Sequence, residues 1–342
     1  MGRKILVRAP NWLGDAVMAT PFIKKLKDKN PNVTLHVLVK PSLTDLFADA
    51  PGVDRVLPLK KEEGPLALAK TLRIERYDTA YILPPSFSSA LAPWLAKIPE
   101  RIGYNTDRRI FLLTNSQKLD ERFHYVRRYL GLLGVPGEEI TFRDFYVPEA
   151  PTADTEIHLG KEEGKILAVA PGSRAPARRW FPERFAQVIN GLGSDWKSVL
   201  LLGAPEDVPF SEAVASQSQR PIQNLCGKTS VPLVVALLKR CTALLTNESG
   251  LMHLGWATGV PTVVIAGPSN PRLTSPFGNT TQILQAQDIP CVPCVRNTCP
   301  RWGQGNGECM KAITVEMVTK ALHGPNPDKS FDGRDHEPRN GS

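Results

Sequence analysis

The chain has 342 residues, 42% of them hydrophobic and 22% charged, with a net charge of +8 and six cysteines. That length exceeds one ordinary core and predicts two domains of common size, while no apolar run approaches the ~18 residues of a membrane span. The surplus of Lys and Arg points to an anionic partner such as a nucleotide, a phosphorylated substrate or an acidic membrane surface. Nucleic acid is disfavoured, because the basic residues are scattered and no nucleic-acid module is recognisable.

The start enters a strand directly at Lys4, without an apolar signal region, so a cytoplasmic protein is expected. Arg3 to Pro10 reads as that first strand, and the turn Asn11 to Asp15 leads into one helix with Ala16, Val17, Ala19, Phe22 and Leu26 on its apolar face. Strands at 33–39, 54–58 and 79–83 then alternate with a helix near 65–73, the pattern of a parallel α/β sheet. The stretch 145–165 turns polar and proline-bearing, and a domain boundary is placed in it, giving domains of 1–155 and 156–323. After it the alternation resumes, with strands at 165–171 and 198–202 and helices at 182–192 and 231–239. The two opening strands, Lys4-Ile5-Leu6-Val7-Arg8-Ala9-Pro10 and Lys165-Ile166-Leu167-Ala168-Val169-Ala170-Pro171, share five of seven residues. The echo fits two similar Rossmann-like halves. A last helix is read at 314–322, followed by a tail, 324–342, expected to be disordered.

Neither half has G-x-G-x-x-G after its first strand, and no P-loop is present, which argues against a nicotinamide or flavin oxidoreductase. The turns that do follow these strands are Asn11-Trp12-Leu13-Gly14-Asp15 and Gly172-Ser173-Arg174-Ala175-Pro176-Ala177-Arg178-Arg179-Trp180. In a doubly wound sheet such turns lie at the carboxyl ends of strands, where ligands bind. Asp15 is either a catalytic base or a capping carboxylate. Arg178 and Arg179 either clamp a diphosphate or sit as solvated charge, and their place before a helix start favours the clamp.

The stretch from Leu245 to Pro271 is a ligand-binding corner: a buried strand, a polar turn, a helix 251–258 and a second apolar strand at 260–266. Thr246, Asn247 and Ser249 are good cap types, Gly250 lets a bound group approach the backbone, and Gly259 suits a left-handed C-cap. Free amides at such a helix start favour an anion, above all phosphate. His253, one turn in, either bonds a phosphate or hydroxyl or is a satisfied, half-buried side chain.

Cys291, Cys294, Cys299 and Cys309 form C-x2-C-x4-C-x9-C with prolines between them. Four thiols in so short a stretch of a cytoplasmic chain suggest a structural, tetrahedral zinc that staples the loop away from the reaction. Packed reduced cysteines and an iron–sulfur cluster are the alternatives. Cys226 and Cys241 stand apart and are assigned to the core.

Taken together, Arg8 to Asp15, Leu83 to Leu91, Pro171 to Trp180 and Thr246 to His253 resemble the ADP-heptose:lipopolysaccharide heptosyltransferases, glycosyltransferase family nine, over about residues 1–322. The resemblance implies a GT-B fold, two Rossmann-like doubly wound domains facing across a cleft. It implies an ADP-heptose donor held mainly by the second domain, and a heptosyl-Kdo2-lipid A type acceptor at the inner face of the inner membrane. Transfer would be inverting, without a cofactor or catalytic metal. Asp15 falls on the family's proposed base. Arg178 stands where the family has a lysine, Glu248 where it usually has Asp, and Ser173, Arg174, Glu206, Thr229, Ser249, Gly250 and His253 fall where relatives touch the donor. Heptosyltransferase I, another sugar transferase of this fold, and a non-catalytic sugar-nucleotide-binding protein are the rival readings.

Overall fold

The computed structural model describes residues 2–324 except 61, 150–151, 160–163, 279 and 302, so the expected disordered tail lies outside the described residues but for Gly324. The chain divides into two compact units between Pro148 and Glu149, inside the polar stretch where the boundary was expected and slightly before residue 155.

In the first unit, strands β1 (Lys4–Arg8), β2 (Thr34–Val39), β3 (Arg55–Pro58), β4 (Thr79–Ile82), β5 (Glu100–Tyr104) and β6 (Asn115–Gln117) form one sheet in the order β3-β2-β1-β4-β5-β6. All its pairings are parallel, with Leu6 opposite His36 and Ala80. Ile5, Leu6 and Val7 are all buried, the continuous apolar run that a parallel strand covered on both faces requires. The single helix expected after β1 is two, Leu13–Met18 and Thr20–Lys29. Pro21 lacks an N–H and suits only the first turn, so a new helix starts there.

In the second unit, β7 (Lys165–Ala170), β8 (Trp196–Leu201), β9 (Gln223–Asn224), β10 (Ala243–Asn247), β11 (Thr262–Ile265) and β12 (Thr281–Leu284) form a parallel sheet in the order β12-β11-β10-β7-β8-β9. Counted from its own first strand, this is the same doubly wound order as the first sheet. The matching segments that begin at Lys4 and Lys165 are therefore the corresponding first strands, β1 and β7. The core of this unit is built on Trp180, Phe185, Ile189, Trp196, Leu201 and Ile265. Trp180 packs edge-on against Phe185 at 5.1 Å and donates its indole N–H to the Ile313 carbonyl at 3.0 Å. The turn that follows β7 is thus anchored in the middle of the unit by its last residue. Cys226 and Cys241 are buried, as assigned.

Candidate active site

In the first unit, Asp15 lies in the first turn of Leu13–Met18, half-buried, just past the carboxyl end of β1. Trp12 at the N-cap position makes no side-chain cap, and a carboxylate in a first turn gains from the helix dipole. Arg8, the last residue of β1, is buried, and its Nη2 donates to Asn11 Oδ1 at 2.6 Å, fixing the turn that leads to Asp15. Burial pushes the Arg8 guanidinium down to about 10, still far above neutrality.

A second buried guanidinium builds the neighbouring loop after β4. Arg109 is fully buried; its Nη1 donates to the Pro84 carbonyl, to the Ser86 carbonyl at 3.1 Å and to Ser89 Oγ at 2.9 Å, while Nε donates to the Tyr104 carbonyl at 2.8 Å. Burial lowers its pKa to about 10. Asp107 accepts the Phe87 N–H at 2.5 Å, and Thr106 Oγ1 donates to the Pro85 carbonyl at 2.6 Å. Asp107 and Arg108 both take left-handed backbone, φ 51 and 55, a strained double turn that feeds Arg109 back under the loop. Residues 83–91 were singled out in the sequence, but the arginine that shapes them was not.

In the second unit the corner forms where β10 meets the helix Gly250–Thr258, which ends at Gly259 with φ 76, the expected left-handed C-cap. None of the three candidate cap residues caps it. Thr246 Oγ1 donates to the Asn247 carbonyl, and the Asn247 amide links two other segments, donating to the Pro171 carbonyl at 2.6 Å and accepting the Trp180 N–H at 3.1 Å. Ser249 takes the N-cap position without a side-chain bond to the helix. The amides of the first turn are thereby left for a ligand, which suits anion capture better than a capped start.

Glu248 is buried beneath this turn. Arg178 Nη1 pairs with its Oε2 at 3.2 Å, Thr274 Oγ1 donates to Oε1 at 2.7 Å, and Ser269 Oγ donates to Oε2. Burial pushes the Glu248 carboxyl up, and Arg178 and Thr274 draw it back. Ser173 Oγ donates to the Glu248 carbonyl at 3.3 Å. Arg179 does not join the clamp: its Nε donates to the Ser173 carbonyl at 2.6 Å and its guanidinium lies over the Phe210 ring. Arg178 ends the 3₁₀ turn Pro176–Arg178 and Arg179 follows it in extended backbone, and of the two it is Arg178 that pairs with the carboxylate. His253 is buried rather than half-buried, and its Nδ1 has no partner; burial pushes the imidazole down to about 4, so it is neutral at pH 7. Arg178 Nε and Thr229 Oγ1 are likewise buried and unpaired. Trp196 Nε1 and Thr281 Oγ1 of the same unit are buried and unpaired too, so it is the place of Arg178 and His253 on the turn and helix of the corner that makes them candidates to meet polar ligand atoms.

Arg174 and Glu206 are exposed on their turns. It is Asp207, beside Glu206, that folds inward, accepting the Ala204 N–H at 3.0 Å, and an added Cβ on Gly172 would meet its carboxylate at 2.1 Å. Ser269, Thr274 and Asp207 carry no motif that would have drawn attention to them.

The four clustered cysteines line a single cavity of about 30 Å³ together with Ala177 and Pro268. Among the described residues, no three or more His, Cys, Asp or Glu side chains stand at metal-ligating spacing. The loop meets the corner through the backbone: the Asn297 carbonyl accepts the N–H of Ala177, the residue before Arg178, at 3.0 Å.

Two doubly wound units, one with a carboxylate in the turn after its first strand and the other with an uncapped helix end over a buried Arg–Glu pair, define a glycosyltransferase of GT-B fold. The chain belongs to glycosyltransferase family 9 (heptosyltransferase), whose description it matches over residues 65–303. It is 30% identical to lipopolysaccharide heptosyltransferase 2 of Salmonella typhimurium over 94% of this chain and 97% of that protein. Its match to the solved E. coli ADP-heptose lps heptosyltransferase II has a TM-score of 0.78 at 29% identity, covering 93% of this chain and 97% of the other. A family 9 glycosyl transferase from Veillonella parvula shares the fold, with a TM-score of 0.80 at 23% identity over 93% and 95% of the two chains.

Proposed function

We propose that the protein is heptosyltransferase II, moving heptose from ADP-heptose to the inner core of lipopolysaccharide with inversion at the anomeric carbon. The observation that carries the donor half is the uncapped start of Gly250–Thr258 above Arg178 and Glu248, with unpaired polar atoms on Arg178 and His253. Its amides and the guanidinium supply the positive charge that the diphosphate needs, and needs more as it leaves. Arg in place of Lys offers a planar fork, able to bond two phosphate oxygens at once.

In the transfer step the Asp15 carboxylate takes the proton from an acceptor hydroxyl as its oxygen attacks the anomeric carbon. A new C–O bond forms, the bond to the β-phosphate oxygen breaks, and ADP departs with the bonding pair. The acceptor is a heptosylated, lipid-linked core sugar, with the chain working at the inner membrane surface. No helix among the described residues is long and apolar enough to cross a membrane.

The test is turnover with ADP-heptose and a singly heptosylated core acceptor, read as ADP release together with product mass. Transfer only to an unheptosylated core would make it the first heptosyl step, and ADP binding without transfer to either would make it a binding protein.

A further inference from the structure

The transfer step makes no use of the outer side of the helical layer that covers one face of the first sheet. That layer consists of the helix Pro65–Glu75, the helix Phe87–Leu95 and the 3₁₀ turn Ile110–Leu112. Its inner residues, among them Leu68, Leu72, Ala90 and Leu112, pack with Leu6 and Ile82 of the sheet in one core cluster. Its outer residues are apolar as well. Among the described residues eight large apolar side chains are exposed, and five of them, Leu66, Ile74, Trp94, Ile110 and Phe111, belong to this layer, with 40% to 81% of their surface open. Scattered singly they would need no explanation, but gathered on one layer they mark a contact surface.

The parts of this layer are tied to one another. Phe111 packs its ring against Phe87 at 5.9 Å, joining the 3₁₀ turn to the second helix, and Arg73 Nη2 donates to the Leu95 carbonyl at 2.6 Å, joining the two helices. Leu66, Lys70 and Ile74 recur every four residues along the first helix, and Phe87, Leu91 and Trp94 recur at four and three along the second, so each row lies on one side of its helix. The helix Phe87–Leu95 carries no charged residue, whereas a helix that faces water sets its charges there. The charges around the apolar surface are cationic: Lys70, Arg73, Arg76, Lys97 and Arg108 are all exposed. Of the nearby carboxylates, Glu75 is held between Lys4 and Arg55, Asp78 and Asp107 accept the backbone N–H groups of Lys4 and Phe87, and Glu62 and Glu63 precede the first helix.

We propose that this layer docks on the surface of an anionic phospholipid bilayer, with Trp94, Ile110 and Phe111 seated among the headgroups and the surrounding lysines and arginines paired with lipid phosphate. Aromatic rings settle at headgroup depth, and cations beside them add the attraction of an acidic leaflet, so the two kinds of residue found here complement one surface. A second copy of the chain fits it less well. A twofold contact would set these cations against their own kind, with few free carboxylates to oppose them. The surface also adjoins the loop after β4, which starts the helix Phe87–Leu95 and lies beside the end of β1, where the Leu83 N–H donates to the Arg8 carbonyl at 3.1 Å. A lipid-linked acceptor would therefore rise from the bilayer beside the turn that holds Asp15; this part rests on the transfer reading given above.

The full chain is floated with vesicles of phosphatidylcholine alone and of phosphatidylcholine mixed with phosphatidylglycerol, at low and at high salt. Binding to the anionic vesicles is expected, and it should weaken as salt screens the cations. Trp94→Ser combined with Phe111→Ser should weaken that binding about tenfold or more, since buried apolar area sets the strength of an interfacial contact. Lys70→Glu should weaken it on anionic vesicles alone, and Met317→Ser, which removes an exposed apolar side chain from the second unit, should leave it unchanged. Turnover on a delipidated, water-soluble acceptor should be the same in all these variants, which separates lost docking from lost folding. Equal binding to both vesicle types, or equal binding by the parent and the double variant, would overturn the proposal. So would a dimer that forms without vesicles and is abolished by Phe111→Ser, because the surface would then belong to a second copy. A chain that docks as expected yet transfers heptose to no acceptor would uphold the surface and sink the transfer reading.

Discussion

Arg178 and Glu248 form a part-buried ion pair, Nη1 to Oε2 at 3.2 Å, in which the carboxylate is already satisfied by Ser269 and Thr274 while the arginine keeps Nε unpaired. The pair is asymmetric: Glu248 needs nothing more, and Arg178 still has donors to give. Replacing Arg178 by Ala should weaken ADP binding by roughly 1.5 to 3 kcal/mol, the usual worth of a charge-assisted contact. Arg179→Ala, which loses a bond to the Ser173 carbonyl instead, should leave ADP affinity nearer to that of the parent. Calorimetric titration of both variants checks the order, and the reverse order would mean that the clamp had been given to the wrong arginine.

Asp15→Asn should lower kcat by roughly 100-fold or more, as loss of a general base does, while ADP affinity stays close to that of the parent protein. Single-turnover rates alongside ADP titration make the comparison. A variant that keeps its rate would reduce Asp15 to a helix-start carboxylate.

The buried imidazole of His253 gives a pH signature. Its pKa falls from the ordinary 6.5 to about 4 in the folded protein, so it stays neutral there while the unfolded chain takes up a proton. Below pH 6.5 the unfolded state therefore gains an advantage that grows until about pH 4, and stability falls as pH falls, by up to about 3 kcal/mol from this group. His253→Asn removes that slope. Urea unfolding of both proteins between pH 7 and 4.5 should show the parent losing stability faster, and parallel curves would show that the imidazole titrates normally in the native state.

Arg109→Met should cost about 2 to 4 kcal/mol, because the carbonyls of Pro84, Ser86 and Tyr104 lose a buried donor. Denaturant unfolding measures it. A loss below about 0.5 kcal/mol, the scale of an ordinary surface change, would show that the loop after β4 holds its shape unaided.

The sequence revealed what is local. Unbroken apolar runs marked β1, β7 and β10, Gly259 announced its own left-handed cap, and the turns after β1 and β7 contained Asp15 and Arg178. What it hid depends on distance along the chain. Ser269 and Thr274 meet Glu248 from 21 and 26 residues away, and Arg109 reaches Ser89 across 20, so no spacing rule could join them. Asn247 looked like a cap because its residue type suits one, but tertiary bonds to Pro171 and Trp180 claimed its amide first. Strands β5, β6, β9 and β12 escaped notice; β6 and β9 are short, polar edge strands, Asn115–Gln117 and Gln223–Asn224, with no apolar run to betray them, and β5 begins with the charged pair Glu100-Arg101.

The strand order also governs how the chain can fold as it is made. Every strand pairing of the first sheet is completed by Gln117, and no strand of either sheet crosses into the other. A growing chain can thus finish its first sheet before Lys165, the start of β7, has left the ribosome, and domains do generally fold in turn as they emerge. The amino-terminal unit never has to keep an edge open for a strand still to come, which shortens the time that its apolar strands stand exposed to other nascent chains.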